Sequence, residues 1–308
     1  MFLTVLFNIM SLAMLIGAGF AARKAGIIND HVSAGLSGLL LNVAMPAFIV
    51  MSMQQEFSME LLLDGGLVFS IFVALHVILA VGGLGLARIL RIPFERKGVF
   101  LFALTFGNVG FMGQPVVGPI FGELGVFYIT MVNVAFCILV PLLGQHQIKL
   151  SIKKAEDSVR SKRKFKPNMP LLSALVGIVL FLTSTTLPLP VASALNHAAG
   201  SMAAISMIAI GGLMAKSDLK VMFTDKGVFL FSAIKLIAIP LICIPILRLF
   251  IDNNVMIGVV IYLIAMPAPA LVAIFAEQHK TDPQYASSVV MITTALSLLT
   301  IPLIALFL

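Results

Sequence analysis

Apolar residues fill this chain in runs of about twenty, and polar residues fall in short clusters between the runs. A helix of that length spans the hydrocarbon core of a bilayer. Ten such spans are predicted, at 2–21, 34–53, 65–87, 98–119, 124–144, 169–187, 191–214, 227–249, 255–275 and 285–307. None shows the short alternating segments of a membrane β-barrel. One stretch disturbs the pattern from within. "FGNVGFMGQPVVGPIFG", residues 106–122 in the fourth span, holds five glycines and two prolines. Both are poor helix formers, and Pro also removes a backbone donor. Broken backbone at membrane depth is tolerated only where it is buried in protein or lines a cavity.

Composition agrees with the pattern. Of 308 residues, 60% are hydrophobic and 11% charged, with a mean hydropathy of +1.11. A soluble domain keeps about a quarter of its residues charged. The class predicted is an all-α, polytopic membrane protein. The first run begins at Phe2 with no basic residue before it, and Arg23 and Lys24 follow it. It is therefore expected to be an uncleaved first span rather than a signal peptide.

Charge sets the expected orientation. Loop 1–2 carries Arg23 and Lys24, and loop 3–4 carries Arg88, Arg91, Arg96 and Lys97. Loop 7–8 carries Lys216, Lys220 and Lys226, and loop 9–10 carries Lys280. The longest polar loop, 146–167, is "HQIKLSIKKAEDSVRSKRKFKP" and holds eight Lys and Arg counted from Lys149 to Lys166. The opposite loops hold only Arg248. Positive loops face the cytoplasm, so a multi-pass protein of the cell membrane with both termini outside is expected. The net charge of +7 is read as topology, with the basic loop against anionic headgroups. No basic groove for nucleic acid has room to form. Cys137 and Cys243 lie in apolar runs, far from any metal or disulfide spacing.

The basic loop divides the chain into a first five-helix repeat (1–145), a linker (146–167) and a second five-helix repeat (168–308). An odd number of spans per half forces opposite orientations, the layout of an inverted-repeat transporter. At a shift of 154, "MGQPVVGPIFGE" (112–123) meets "MPAPALVAIFAE" (266–277), matching Met112, Pro115, Ile120, Phe121 and Glu123 to Met266, Pro269, Ile274, Phe275 and Glu277. Gly- or Pro-interrupted segments at corresponding places mark a transporter's binding site.

These segments resemble the auxin efflux carrier superfamily, which includes plant PIN carriers and bacterial malonate-type carriers. The likeness rests on "GNVGFMGQPVVGPIFGE" in span four and "AMPAPALVAIFAEQHKTDPQYASSVVMITTALSLLTIPL" in spans nine and ten. Supporting pieces are "LNVAMPAFIV", "MIAIGGLMAKSDLK" and "IKLIAIPL". The short basic linker is similar to the prokaryotic branch. The resemblance implies two inverted five-helix repeats, related in fold to bile acid:sodium symporters, with broken spans four and nine crossing near the midplane. It implies a homodimer-forming panel of spans 1, 2, 6 and 7, and a moving core of spans 3–5 and 8–10. By position it assigns Asn108 to substrate contact. "Pro267-Ala268-Pro269" lacks the polar residue that plant members carry at the second break, which argues against plant-like auxin specificity.

The expected function is a secondary carrier for small organic anions, carboxylates such as malonate- or auxin-like acids, working by alternating access. A sodium-coupled symporter is the alternative; a channel or membrane enzyme ranks lower. The coupling ion, H+ or Na+, stays open, and no other cofactor or metal is expected. No H-E-x-x-H, G-x-S-x-G or P-loop motif occurs. The candidate substrate-binding residues are Gly107, Asn108, Gly110, Gln114, Pro115, Pro267, Ala268, Pro269, Lys235, Asn42 and Asn133. Asn108 is expected either to contact substrate or to cap a half-helix with its side chain. Lys235 follows Lys226 by nine residues, about 13–14 Å along a helix. A Lys at that depth costs at least about 2.5 kcal/mol and is functional by default; bonding carbonyls freed at the ninth-span break is the alternative. His76 is expected as a satisfied core residue or a proton relay.

Overall fold

Capping residues place the helix starts. The computed structural model describes residues 2–152, 169–216 and 225–308; most of the basic linker and the 217–224 part of loop 7–8 lie outside them. The helices are α1 (Phe2–Lys24), α2 (Asp30–Ser52), α3 (Met59–Ile89), α4 (Phe94–Thr105), α5 (Gln114–Leu139), α6 (Met169–Leu182), α7 (Leu189–Gly200) and α8 (Met202–Lys216). Then come α9 (Lys226–Arg248), α10 (Asn254–Ile264), α11 (Leu271–Gln278) and α12 (Pro283–Ile304). No strand occurs among the described residues. The side chains of Asn29, Ser58, Asn253 and Asp282 accept N–H bonds at the starts of α2, α3, α10 and α12. The Ser58 cap begins α3 at Met59, six residues before the predicted 65.

Among the described residues, seven helical stretches are long and apolar enough to cross a membrane, and α6 and α10 are shorter apolar helices. One of the seven, Phe94–Lys149, contains both a break after Thr105 and a joint at Gly122. Gly122 has φ 61° and ψ −152°, a region that only glycine enters cheaply.

Four of the prolines widen their helices rather than ending them. Among the described residues, four π turns occur, at Leu40–Ala44, Val109–Gly113, Val140–Gly144 and Ile234–Ala238. Each contains or just precedes a proline: Pro46, Pro115, Pro141 or Pro240. Proline cannot donate to the carbonyl four residues back and its ring pushes that carbonyl away. An inserted wide turn absorbs the displacement.

The helices pack as two groups. In one, α1 lies along α8 while α2 lies on α6 and α7. A Cβ at Gly19 would collide with the Ile208 backbone, and one at Gly211 with the Ile16 carbonyl, so small residues let these two backbones touch. The other group is α3–α5 with α9–α12. At its centre are α4, buried throughout Gly98–Thr105, and α10, buried throughout Met256–Ile264. Helices apolar on every side belong inside.

Two polar clusters tie helix starts within this second group. Arg96 at the start of α4 donates to Asp225 before α9 (2.6 Å) and to Asp282 before α12 (3.0 Å), with Tyr285 under its guanidinium. Asn253 before α10 donates to Tyr128 in α5 (3.1 Å) and to Asp64 in α3 (3.4 Å), and Tyr128 donates to Asp64 (2.6 Å).

Candidate functional site

Two interruptions meet at the centre of the second group. The first is Phe106–Asn108, between α4 and the turn Val109–Gly113; the second is 265–270, between α10 and α11. In a continuous helix the N–H of Asn108 would bond the carbonyl of Leu104. It donates instead to the Pro267 carbonyl, 2.8 Å away. The abandoned Leu104 carbonyl accepts from Lys235 Nζ at 2.9 Å. At the second break, Ala268 N–H leaves the Ile264 carbonyl and donates to Thr293 Oγ1 at 3.1 Å. The freed Asn108 N–H, Leu104 carbonyl and Ala268 N–H thus each find a replacement partner.

Close approach at this crossing explains Gly107. A Cβ there would stand 2.7 Å from the Leu263 oxygen and 3.0 Å from Met266 Cβ. Two helix C-termini and two helix N-termini converge on the same place. N-terminal ends favour anions and C-terminal ends favour cations. Lys235, fully buried, brings its amino group to the end of α4.

Polar side chains gather on the first break. Asn108 is buried, and its side chain makes no capping bond; only its carbonyl serves the next turn, accepting from Met112 N–H at 3.0 Å. Gln114, at the start of α5, has Oε1 buried without a partner and its Nε2 turned along the helix toward Gly118. Asn133 is 1% exposed, and both atoms of its amide lack partners. Its neighbours on one face of α5 fix its direction. Ile129 reaches Gly113, and the Phe136 ring meets Phe106 at 5.7 Å. Asn133 lies between them at helical spacing, facing the first break. A fully buried amide with no partner calls for an explanation, a ligand among them.

The remaining candidates divide. Pro115, Pro267, Ala268 and Pro269 are buried at the crossing, and Gly110 is half-buried beside Met45 of α2. Asn42 is not brought to the site. It is exposed, and its amide donates to Gly38 of its own helix at 2.8 Å. Two expectations change. The Asn108 side chain does not cap the half-helix, and the carbonyl that Lys235 takes belongs to the fourth-span break, not the ninth.

Several participants were not anticipated. Pro119 cannot donate to the Pro115 carbonyl, and Asn8 of α1 does so instead at 3.0 Å. Thr293 lay hidden among apolar neighbours. Gln147 donates to Thr105 Oγ1 at 2.8 Å, steadying the end of α4. The Tyr128 cluster had no clear signal: the 154-residue shift pairs Tyr128 with Asp282 of the other cluster but Arg96 with Phe250. Cys137 and Cys243 form no disulfide, and no metal-binding group of His, Cys, Asp and Glu occurs among the described residues.

The sequence matches the membrane transport protein family over residues 4–168 and 152–305. A protein of Methanothermobacter thermautotrophicus named as an uncharacterized transporter is 26% identical over 309 residues, 96% of each chain. One of Methanocaldococcus jannaschii, likewise named as an uncharacterized transporter, is 23% identical over 306 residues, 94% of each chain.

Proposed function

Starting from a chain that belongs to the membrane transport protein family, we propose a secondary carrier for small organic anions, carboxylates in the first place, that binds them at the crossing of the two breaks. The observation that carries this reading is the bond from Asn108 N–H to the Pro267 carbonyl. It joins two interrupted helices where the Asn133 amide, Gln114 Oε1 and the Lys235 cation gather. Asn108 and Asn133 offer donors to a carboxylate, and Lys235 offsets its charge. Gly107 lets the two backbones touch at the crossing, and Gly110, open but for Met45, lets the anion approach the backbone.

The chain crosses the membrane ten times as two inverted five-helix repeats, 1–145 and 168–308, joined by the basic 146–167 linker in the cytoplasm. The two helix-start clusters support this. Arg96, Asp225 and Asp282 join the starts of the fourth, eighth and tenth crossings, and Asn253, Asp64 and Tyr128 join those of the ninth, third and fifth. Exchanging the two repeats carries one set onto the other. The group holding α1, α2 and α6–α8 acts as a panel and, in a homodimer, as the contact between copies. The group holding both breaks moves against it to expose the site on alternate sides, without chemical change to the substrate.

The test is counterflow in proteoliposomes with labelled acetate, malonate, succinate and indole-3-acetate. Saturable exchange of at least one, reduced in Asn108→Ala, supports the carrier. Flux unchanged in both Asn108→Ala and Lys235→Ala would sink the site assignment, and conductance far above carrier turnover would make the protein a channel.

A further inference from the structure

A second buried base stands behind the first break. His76 of α3 is 2% exposed. Its ring lies 3.9 Å from the Phe72 ring and 5.3 Å from the Phe106 ring, centroid to centroid. Its Nδ1 is 2.8 Å from the Phe72 carbonyl oxygen. A carbonyl only accepts, so Nδ1 carries a hydrogen and donates it. In the neutral ring that leaves a bare lone pair on Nε2, and Nε2 is buried with no partner. The satisfied core histidine of the sequence reading is therefore only half satisfied.

The neighbours of this ring define its electrostatics. Lys235 of α9 stands at the same break: its Nζ holds the Leu104 carbonyl at 2.9 Å, two residues before the Phe106 that the ring meets. Its aromatic neighbours are Phe72 of its own helix and Phe106 at the first break. The buried polar groups among the described residues include no Asp or Glu.

We propose that His76 is the proton site of this carrier: Nε2 takes up one proton when an organic anion occupies the first break and releases it when the anion leaves. The inference rests on the carrier reading above. Without an anion, an imidazolium would add a second positive charge near the Lys235 ammonium, with no counter-charge and little solvent. Like charges at close range in a poorly solvated site exclude one another. An anion beside Asn108 supplies the missing negative charge, and the ring then accepts the proton. One proton joins one Nε2 lone pair and no other bond changes. A monovalent anion and its proton therefore move as a neutral pair. Binding linkage is reciprocal, so protonation must also tighten anion binding.

The test uses the full chain in proteoliposomes with trapped pyranine, each signal taken as the excess over protein-free liposomes, and as probe the carboxylate of the four that gives fastest counterflow. In wild type, an inward gradient of the probe acidifies the lumen. A pH gradient, alkaline inside, drives accumulation of a monovalent probe up to about tenfold per pH unit, the ratio equivalent to one proton. His76→Gln retains counterflow and loses both signals. Wild-type counterflow with neither acidification nor gradient-driven accumulation overturns the proton site while leaving the carrier intact. Both signals at wild-type strength in His76→Gln overturn the assignment to His76. Absence of counterflow for all four probes is failure of the carrier reading, and of this one with it. If the variant does not fold, the wild-type gradient measurement still decides whether a proton is coupled.

Discussion

The two breaks solve the same backbone problem with opposite chemistry. Around the first stand Asn108, Gln114 and Asn133, with Lys235 on the Leu104 carbonyl and His76 behind Phe106. Around the second stand Ala265, Met266, Pro267, Ala268, Pro269 and Ala270, all apolar, with Thr293 supplying one hydroxyl. Proline at the second break removes donors that would otherwise need partners; the first keeps its donors and sends one to Pro267. Geometry is thus shared between the breaks while recognition lies mainly on one. In the carrier proposed above, an anion at the crossing would sit against one polar wall and one apolar wall, an arrangement that would orient a carboxylate and tolerate variation in the carbon skeleton behind it.

The most severe way to break this comparison is to push the walls apart. Gly107→Val places a branched side chain 2.7 Å from the Leu263 oxygen, where neither backbone can yield cheaply. Overpacking of a buried contact costs about 1–3 kcal/mol, more where backbone must move. The expected outcome is loss of monodisperse protein on size-exclusion chromatography, or folded protein without uptake. Gly110→Ala is the control. Its Cβ would meet only Met45 Cε at 3.6 Å, an ordinary contact, and it should leave the elution profile unchanged.

Next in size is a pair of substitutions that separates the two walls. Asn108→Ala removes a side chain that holds up no helix end. Its backbone bond to Pro267 survives the change. A lost hydrogen bond to a charged partner costs about 1.5–3 kcal/mol, or roughly ten- to hundredfold in affinity. Uptake should fall by that factor with thermal stability unaltered. Thr293→Val does the reverse. It leaves the buried Ala268 N–H unpaired, costing about 1–3 kcal/mol of stability, read as a lower melting temperature in detergent. Substrate affinity in the folded fraction should stay close to wild type. If Asn108→Ala lowers the melting temperature instead of uptake, the polar wall is structural and the contrast between the breaks fails.

How much of this was legible in the sequence follows from what each signal measures. Run lengths and Gly–Pro density report backbone needs, so the helices and both breaks stood out before any coordinates. The 112–123 and 266–277 match pointed to the right pair of spans without aligning the breaks, since its 154-residue shift carries 106–108 onto 260–262 inside α10. Family resemblance singled out Asn108. The partners of the freed groups were not legible. Lys235 reaches Leu104 across 131 residues, Thr293 reaches Ala268 across 25, and Asn8 reaches Pro115 across 107. Each is a single polar residue whose meaning depends on which carbonyl or N–H lies opposite, and no local pattern encodes that. Arg96 was counted as a topological charge, yet it ties three helix starts. A positive residue at a loop reads alike whether it faces water or two aspartates.

The smallest expected effect tests the edge of the polar wall. Asn42 stands three residues before Met45, and Met45 faces Gly110 at the first break. Regular helical spacing would bring Asn42 near the same face. The π turn Leu40–Ala44 adds a residue to that turn and carries Asn42 outward, where its amide only bonds Gly38 behind it. Exposed substitutions away from packed features change stability by about 0.5 kcal/mol or less. Asn42→Ala should therefore leave counterflow and melting temperature within error of wild type. A loss of uptake as large as that of Asn108→Ala would place α2 in the binding wall. The panel would then contribute to recognition in at least one state of the transport cycle, and the division between a binding group and a supporting group would have to be redrawn at the π turn.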